Sequence, residues 1–327
     1  MAKPMNQKHT RLAVTAALAF ALTGVAASGA LAPSRAHAQL QEGVNINPFR
    51  PADLATDGFQ MPRPITQTGT FGVRLALDYG FRTMEWDTTQ ARFPGQYDIV
   101  RHQLTGTLAL SFRLHDRITA AVGIPLSMLQ RGETPVSPML FPADPALLAD
   151  PYLYGRVRIL GNAGDLFVLG AAARLTLPVA DAIRPSQKWT GEETVTFSPQ
   201  VLGEISPSSR FRFNFAIGAR LRGPSHKRGL FVGQELTYSI SATYAAVVDR
   251  LDLTAEIYGS TDFHYYAGYD SVRSDYLSEN HNNSPMEVLV GAQVHPSSSW
   301  MIGAAVGTRM NPDYGAAAFR GVLTAAY

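Results

Sequence analysis

The sequence contains no cysteine. Disulfides and thiolate chemistry are therefore excluded, and the fold must be stabilised by packing and backbone pairing. Lysine is nearly absent after residue 38, where only Lys188 and Lys227 occur, whereas arginine stays frequent. The formal net charge is +2, and residues 1 to 38 contain four basic residues and no acidic one, so the remainder carries +2 − 4 = −2. A chain with this charge balance is not expected to bind nucleic acid.

A long hydrophobic run occurs only near the N-terminus. Two lysines and an arginine precede "LAVTAALAFALTGVAASGALA", and the tripeptide "AHA" ends at residue 38. This pattern predicts a signal peptide over 1–38 that is cleaved on export; the alternative is a retained anchor helix. Further along, no stretch approaches 18 consecutive apolar residues, so a spanning helix is not expected there and a membrane would have to be crossed by strands.

The stretch "RFRFNFAIGARLR" (210–222) alternates apolar and polar side chains over a dozen residues. Its odd positions are mainly Phe, Ile and Leu, and its even positions are Arg, Asn, Ala and Gly. A period of two predicts a β-strand, because successive side chains leave the backbone on opposite sides. Strands of soluble proteins usually have about 5 to 6 residues. Strands of roughly 9 to 11 residues are needed to cross a bilayer, so this length favours a membrane barrel.

The same alternation recurs along the chain, and the connections are alternately short and long. This layout predicts an all-β fold, a transmembrane antiparallel β-barrel of 12 strands over residues 70–327, with short turns in the periplasm and long loops outside. A soluble β-sandwich is the alternative. The predicted strands are 70–85, 98–114, 118–126, 152–160, 166–178, 193–205, 210–222, 233–246, 251–260, 285–294, 300–309 and 317–327.

Prolines and aromatic residues refine this picture. Prolines 125, 178 and 199 are expected at strand ends or bulges, because proline cannot donate to the ladder. Aromatic residues near the strand ends predict girdles at the membrane interfaces, or core residues if the protein is soluble. These aromatics are Tyr79, Phe81, Trp86, Tyr152, Tyr238, Tyr258, Trp300 and Phe319.

If the apolar faces contact lipid, the charged faces line the lumen. Twelve strands enclose a narrower lumen than the 16 to 18 strands of porins with an aqueous channel. Two interpretations follow: surplus arginine selects anionic or polar solutes, or salt bridges nearly close the interior and only stabilise the wall. The predicted lumen-lining residues are Arg74, Asp78, Arg113, Arg156, Arg158, Arg174, Glu204, Arg212, Arg220, Arg222, Glu235, Asp252, Glu256, Glu287, Arg309 and Arg320.

Several segments resemble a known family. The phrases "INPFRPADLATDGF", "RHQLTGTLALSFRLHDRITAAVGIPLSMLQRGE", "RILGNAGDLFVLGAAARLTLP", "VGQELTYSISATYA", "SPMEVLVGAQV" and "YGAAAFRGVLTAAY" are similar to the N-terminal β-barrel of OmpA-family proteins of myxobacteria. The resemblance implies an outer-membrane barrel with a transport or structural role. The peptidoglycan-binding domain of that family has no counterpart here, so its tethering role is not carried over. A looser resemblance is to outer-membrane transporters linked to degradation of aromatic compounds.

Residues 39–69 precede the first predicted strand. They contain four prolines and only scattered apolar residues, too few for a domain. This segment is expected to be either a disordered periplasmic tail or a plug that folds back into the barrel.

The predicted outer loop 261–283 is rich in Tyr and Asp, which suits binding of sugars or divalent cations, or surface recognition; an ordinary exposed loop is the alternative. Its Asp and His residues are of the types that barrel proteases use at the extracellular rim, but a solvated acidic loop explains them better. The string "HNNS" does not match the His-x-Ser-Asn-Gly pattern of a barrel phospholipase, and no phosphate loop or metal-spaced cluster occurs. The sequence therefore predicts neither an enzyme nor a cofactor or metal site. The loop candidates are Asp262, His264, Tyr265, Tyr266, Asp270 and Asp275.

Together these patterns predict an exported outer-membrane protein that acts as a passive channel or transporter for small polar or anionic solutes. The alternative is a non-conducting barrel with a structural or surface-recognition role. The expected partners are the outer-membrane bilayer and, because the last strand ends in the aromatic Tyr327, the barrel-assembly machinery.

Overall fold

The structure, a computed structural model, describes residues 45, 47–88, 95–132, 148–183, 191–223, 225–227, 230–263 and 283–327. These form fourteen strands and one short helix, α1 (Val179–Ile183). The strands are β1 (Phe71–Thr88), β2 (Gly95–His115), β3 (Ile118–Arg131), β4 (Tyr152–Leu160), β5 (Phe167–Thr176), β6 (Thr196–Ile205), β7 (Phe211–Arg220), β8 (Ser225–Lys227), β9 (Leu230–Val232), β10 (Glu235–Val247), β11 (Leu251–Asp262), β12 (Met286–Val294), β13 (Met301–Asn311) and β14 (Phe319–Ala326).

Twelve of these strands form one closed antiparallel barrel, in the order β1-β14-β13-β12-β11-β10-β7-β6-β5-β4-β3-β2. The barrel closes between the first and last strands, where Leu77 of β1 lies opposite Leu323 of β14. The predicted twelve-stranded barrel is thus confirmed, and closure rules out the sandwich. Strands β8 and β9 form a separate hairpin between β7 and β10 that the sequence did not predict. Among the described residues, no helix combines the length and apolar character needed to span a membrane.

The two ends of the barrel differ. At one end, here called the turn end, short connections such as 116–117 and 248–250 join consecutive strands. Both Phe71 and Tyr327 lie at this end, and the Tyr327 carbonyl accepts from the Val73 N–H (2.8 Å). The opposite end, here called the loop end, has the longer connections, including 132–151 and 263–285.

The outer surface of the barrel is apolar. In β7, Phe211, Phe213 and Ile217 are 46 to 52% exposed, while Asn214 and Arg220 are buried on the opposite face. A soluble protein rarely leaves so many large apolar side chains exposed, so this surface is suited to lipid. The other strands contribute exposed residues that include Leu75, Leu108, Val122, Ile124, Leu153, Val201, Ile240, Leu253, Val290, Ile302, Val306 and Leu323.

Aromatic side chains pack in pairs at the turn end. Phe71 contacts Phe112, with ring centroids 5.3 Å apart, and Trp300 contacts Tyr327 at the same centroid distance. Such rings are typical of a membrane interface. The predicted girdle is wrong for Tyr152 and Tyr258, which are 5% and 1% exposed. These two share the inward face with the charged residues of their strands.

The expectation that prolines mark strand ends or bulges is also wrong for two positions. Pro125 lies within β3 opposite Thr107, and Pro199 lies within β6 opposite Ala173. In each case the ladder on the other side is interrupted: the β3–β4 pairing ends at Gly123, and the β6–β7 pairing is broken between Gln200 and the Phe197–Leu221 bridge. Each proline, which has no N–H to donate, lies at this interruption.

Candidate functional site in the barrel interior

The barrel interior is occupied by residues 47–69, here called the inner segment. The C-terminal part of the segment lies at the turn end, where the Thr66 hydroxyl donates to the Asp116 carbonyl (3.0 Å). It reaches the loop end at Arg50, whose Nη2 lies 3.7 Å from Glu192 Oε1. Its apolar side chains are buried, with Leu54, Phe59 and Met61 fully enclosed. The described part of the predicted tail or plug is therefore enclosed by the barrel wall.

Glu256 and Arg74 are two of the wall residues that bind the backbone of the inner segment. The Glu256 carboxylate accepts from three consecutive N–H groups, those of Phe59 (2.8 Å), Gln60 (2.8 Å) and Met61 (3.3 Å). Arg74 donates from Nη1 to the Leu54 carbonyl and from Nη2 to the Gly58 carbonyl (2.6 Å). An added Cβ at Gly58 would overlap the Glu256 carboxylate and force it away from its present position. Charged side chains of the wall thus hold the backbone of the inner segment in place by charge-assisted hydrogen bonds.

Two aspartates of the inner segment pair with wall arginines. Asp57 faces Arg156 as a parallel fork, with Oδ1 2.8 Å from Nη1 and Oδ2 2.6 Å from Nη2, and both side chains are fully buried. Asp53 accepts from the Tyr152 hydroxyl (2.6 Å) and from Arg174 Nη2 (2.9 Å). Removing one partner of a buried pair costs about 3 to 5 kcal/mol, so these contacts hold the segment firmly.

A third ion pair has the opposite polarity. Arg63 of the inner segment donates from Nε and Nη2 to the Glu204 carboxylate of β6, at 2.7 and 3.0 Å. Five charged wall residues therefore contact the inner segment: three form ion pairs with its side chains, and Arg74 and Glu256 bind its backbone. They are Arg74, Arg156, Arg174, Glu204 and Glu256.

The remaining interior charges are balanced within the barrel wall and its loops. Arg320 donates to Asp78 and to Glu287, whose Oε1 lies 2.8 Å from Nη2. At the loop end, Arg222 and Arg220 bind Glu235, and Arg222 also binds Glu192 (2.7 Å). The other pairs are Arg212 with Asp252 and Arg309 with Glu85, both at 2.8 Å.

The structure locates all sixteen residues predicted to line the lumen. Eleven are buried, namely Arg74, Asp78, Arg156, Glu204, Arg220, Arg222, Glu235, Asp252, Glu256, Glu287 and Arg320. Arg174, Arg212 and Arg309 are half-buried with ion-pair partners. Arg113 and Arg158 are half-buried near the turn end, where Arg158 Nη2 donates to the Asp116 carbonyl (3.2 Å). Arg222 lies two residues beyond the end of β7, because that strand is shorter than predicted.

Several interior residues were missed by sequence reasoning. Asp53 and Asp57 lie in a segment without periodicity, so no pattern indicates where they point. Tyr152 and Tyr154 did carry a signal: they precede Arg156 at intervals of two, and residues two apart share one face of a strand. The register places Tyr154 opposite Arg174 on β5.

Space remains beside the inner segment in the loop half of the barrel. Two small cavities of about 60 and 50 Å³ flank the segment, and Arg50 and Arg174 line both. Outside the strands, Asp150 accepts from the backbone N–H groups of Ala180 (2.9 Å) and Glu192 (2.6 Å). Burial of its carboxyl group raises the pKa of Asp150 to about 6, even though these hydrogen bonds favour the ionised form.

The outer-loop prediction is only partly within the described residues. Asp262 ends β11 and is buried, and it accepts from the Gly233 N–H (3.3 Å). The other candidates, His264, Tyr265, Tyr266, Asp270 and Asp275, lie outside the described residues. In the part of the chain that is described, no group of three or more His, Asp and Glu side chains is arranged to hold a metal ion.

Comparisons with known proteins agree with this architecture. The family described as "Putative MetA-pathway of phenol degradation" matches residues 134–278. No curated protein matches the sequence. The crystal structure of the COG4313 outer-membrane channel from Pseudomonas putida F1 has a TM-score of 0.59 at 12% identity, covering 80% of this chain and 96% of that chain.

Two further structures are more distant. The NanC porin has a TM-score of 0.47 at 9% identity, covering 78% of this chain and 97% of that chain. The toluene transporter TodX of Pseudomonas putida has a TM-score of 0.40 at 10% identity, covering 87% and 97%. The likeness to the COG4313 channel shows that the fold is that of an outer-membrane barrel, which supports the predicted outer-membrane location. The resemblance to OmpA-family barrels of myxobacteria stays a prediction.

Proposed function

We propose that the protein is a non-enzymatic outer-membrane channel for small polar or anionic solutes, and that the inner segment is its plug. The observation that carries this proposal is the division of the interior charges. Arg320 and Arg212 are neutralised by the wall itself, whereas three other wall residues form ion pairs with the inner segment and two bind its backbone. In a barrel with only a structural role, the charged wall residues could all pair within the wall, and none would need partners in the inner segment.

Withdrawal of the inner segment would leave three arginines and two glutamates facing the lumen. The cations lie on β1, β4 and β5, and the anions lie on β6 and β11. This surplus of one positive charge favours anionic solutes, since rings of charge select by sign. The orientation follows the general layout of such barrels, with the turn end in the periplasm and the barrel-assembly machinery inserting the chain.

A reversible staple tests the plug. The chain has no native cysteine, so an engineered pair is free of competing thiols. An added Cβ at Gly170 on β5 would lie 3.0 Å from Cβ of Pro64 and 2.9 Å from the Val157 carbonyl oxygen, so the backbone must shift slightly to accept it. Disulfides have Cβ–Cβ distances of about 3.5 to 4.5 Å, so Pro64→Cys with Gly170→Cys should form one after a small adjustment. Because the inner segment joins β1 at the turn end, this staple blocks its withdrawal through that end.

We expect the oxidised double variant to show no conductance in planar bilayers and to conduct intermittently after reduction of the disulfide. Each single-cysteine variant is the matched control and should be insensitive to reductant. A variant lacking residues 47–66 should show the largest conductance, with a preference for anions. Silence under every condition, with a correctly folded barrel, would instead favour the non-conducting structural or surface-recognition role.

A further inference from the structure

We propose that β4 and β5 carry two binding sites for the carboxylate groups of small organic acids, and that Asp57 and Asp53 of the inner segment fill these sites when no solute is bound. This inference rests on the proposed channel function and names the solute class. It depends on the geometry around the two aspartates, which is that of a carboxylate receptor built into the wall.

The first site is centred on Arg156. Its two terminal nitrogens face the two carboxylate oxygens of Asp57 at 2.8 and 2.6 Å. The Nε atom donates to the Tyr154 hydroxyl (2.9 Å), which fixes the plane of the guanidinium. A planar fork held in this way can bind another carboxylate in place of Asp57, because both terminal nitrogens point at the two oxygens; Nη1 also donates to the Ile65 carbonyl of the inner segment (3.1 Å).

The second site combines Arg174 with Tyr152. The Tyr152 hydroxyl and Arg174 Nη2 each donate to one oxygen of Asp53, at 2.6 and 2.9 Å. The guanidinium carbon of Arg174 lies 4.1 Å from the centroid of the Tyr152 ring, so the ring supports the arginine from one face. Arg174 also lines both cavities beside the inner segment.

All donors of both sites belong to two neighbouring wall strands, and both acceptors belong to the inner segment. In the described part of the chain, the ion pairs of Arg156 and Arg174 are with Asp57 and Asp53. When the segment withdraws, two cations remain that no wall carboxylate neutralises. A solute carboxylate can accept the same wall hydrogen bonds as each aspartate, while the bonds from Arg156 to the Ile65 carbonyl and from Arg174 to the Pro51 carbonyl are lost with the segment.

The aspartates and the solute therefore compete. A tethered group competes at an effective concentration in the millimolar range or above, so the resting protein should bind a free carboxylate weakly. Since the solute carboxylate and the aspartates displace each other, a carboxylate that binds the wall must also weaken binding of the inner segment to the wall. The solute thereby favours the open state of its own channel.

The test uses the full chain in detergent, with 4-fluorobenzoate as the probe and uncharged 4-fluorobenzamide as the matched control, both followed by fluorine NMR. Asp53→Asn with Asp57→Asn removes the competitors, and we expect at least tenfold tighter binding of 4-fluorobenzoate than in the wild type. Adding Arg156→Gln and Arg174→Gln should abolish the gain. Arg210→Gln, on the exposed turn before β7, should leave the affinity unchanged. Equal binding of the amide, or no gain in the double Asn variant, would overturn the proposal.

A second measurement needs no variant. In the wild-type protein, excess 4-fluorobenzoate should increase hydrogen exchange of the inner-segment amides severalfold, and 4-fluorobenzamide should not. An unchanged exchange rate at saturating probe would overturn the competition even if the Asn variant failed to refold. Binding is measured without a bilayer, so carboxylate binding in a barrel that never conducts would refute the channel and leave the two sites standing.

Discussion

Glu256→Gln is the most direct perturbation of the inner segment. The wild-type carboxylate accepts three backbone N–H groups, those of Phe59, Gln60 and Met61. A glutamine keeps one acceptor oxygen and turns its NH₂ group towards a backbone donor, so at least one charge-assisted hydrogen bond is lost. Such a bond contributes about 1.5 to 3 kcal/mol, and the buried N–H left without a partner adds to the loss.

We therefore expect seating of the inner segment to weaken by about 2 to 4 kcal/mol, which is roughly a 30- to 900-fold change in its equilibrium. The barrel should stay intact, because backbone pairing of β11 with β10 and β12 does not involve this side chain. Hydrogen exchange of the amides of residues 54–66, measured by mass spectrometry, reports the change directly. Resistance of the folded band to unfolding in detergent gels reports the barrel.

Asp252→Asn is the matched control on the same strand, since its partner is Arg212 of the wall (2.8 Å). It should leave exchange of the inner segment within about twofold of the wild type, because no contact to the segment is lost. The reasoning would be refuted if both variants raised exchange of the segment equally, or if Glu256→Gln left it unchanged.

Two further predictions concern the segment and the loop end. Gly58→Ala should unseat the inner segment and raise bilayer conductance, because its Cβ overlaps Glu256; Gly321→Ala, whose added Cβ comes no closer than 3.7 Å to a neighbour, should do neither. Asp150 accepts hydrogen bonds from the Ala180 and Glu192 N–H groups, and this contact weakens when its carboxyl group ionises. Burial raises the pKa of Asp150 to about 6 from an ordinary 3.8, while nearby Glu192 raises it further and Arg50 lowers it. The contact should therefore strengthen as the pH falls from about 6 to 4, by up to about 3 kcal/mol. Exchange of the Ala180 and Glu192 amides, corrected for intrinsic rates at each pH, measures this, and Asp150→Asn should abolish the dependence.

The sequence by itself determined the barrel. Alternation with a period of two fixes which face of each strand contacts lipid, so Phe213 and Asn214 could be assigned to opposite sides without coordinates. Alternating short and long connections then fixed the strand number. The alternation does not determine the exact strand ends. Arg222, for example, lies beyond the end of β7, because hydrogen bonds at the last residues of a strand depend on the neighbouring strands.

Only the tertiary structure decided what fills the lumen. Residues 47–69 have no periodicity, and their path depends on wall groups far away in sequence: Asp57 meets Arg156, and Phe59 meets Glu256. The same holds for charge. The sequence shows that arginines face inward, but whether an arginine selects a solute or stabilises the wall depends on its partner. That partner is decided by distance in three dimensions, as the contrast between Arg156 and Arg320 shows.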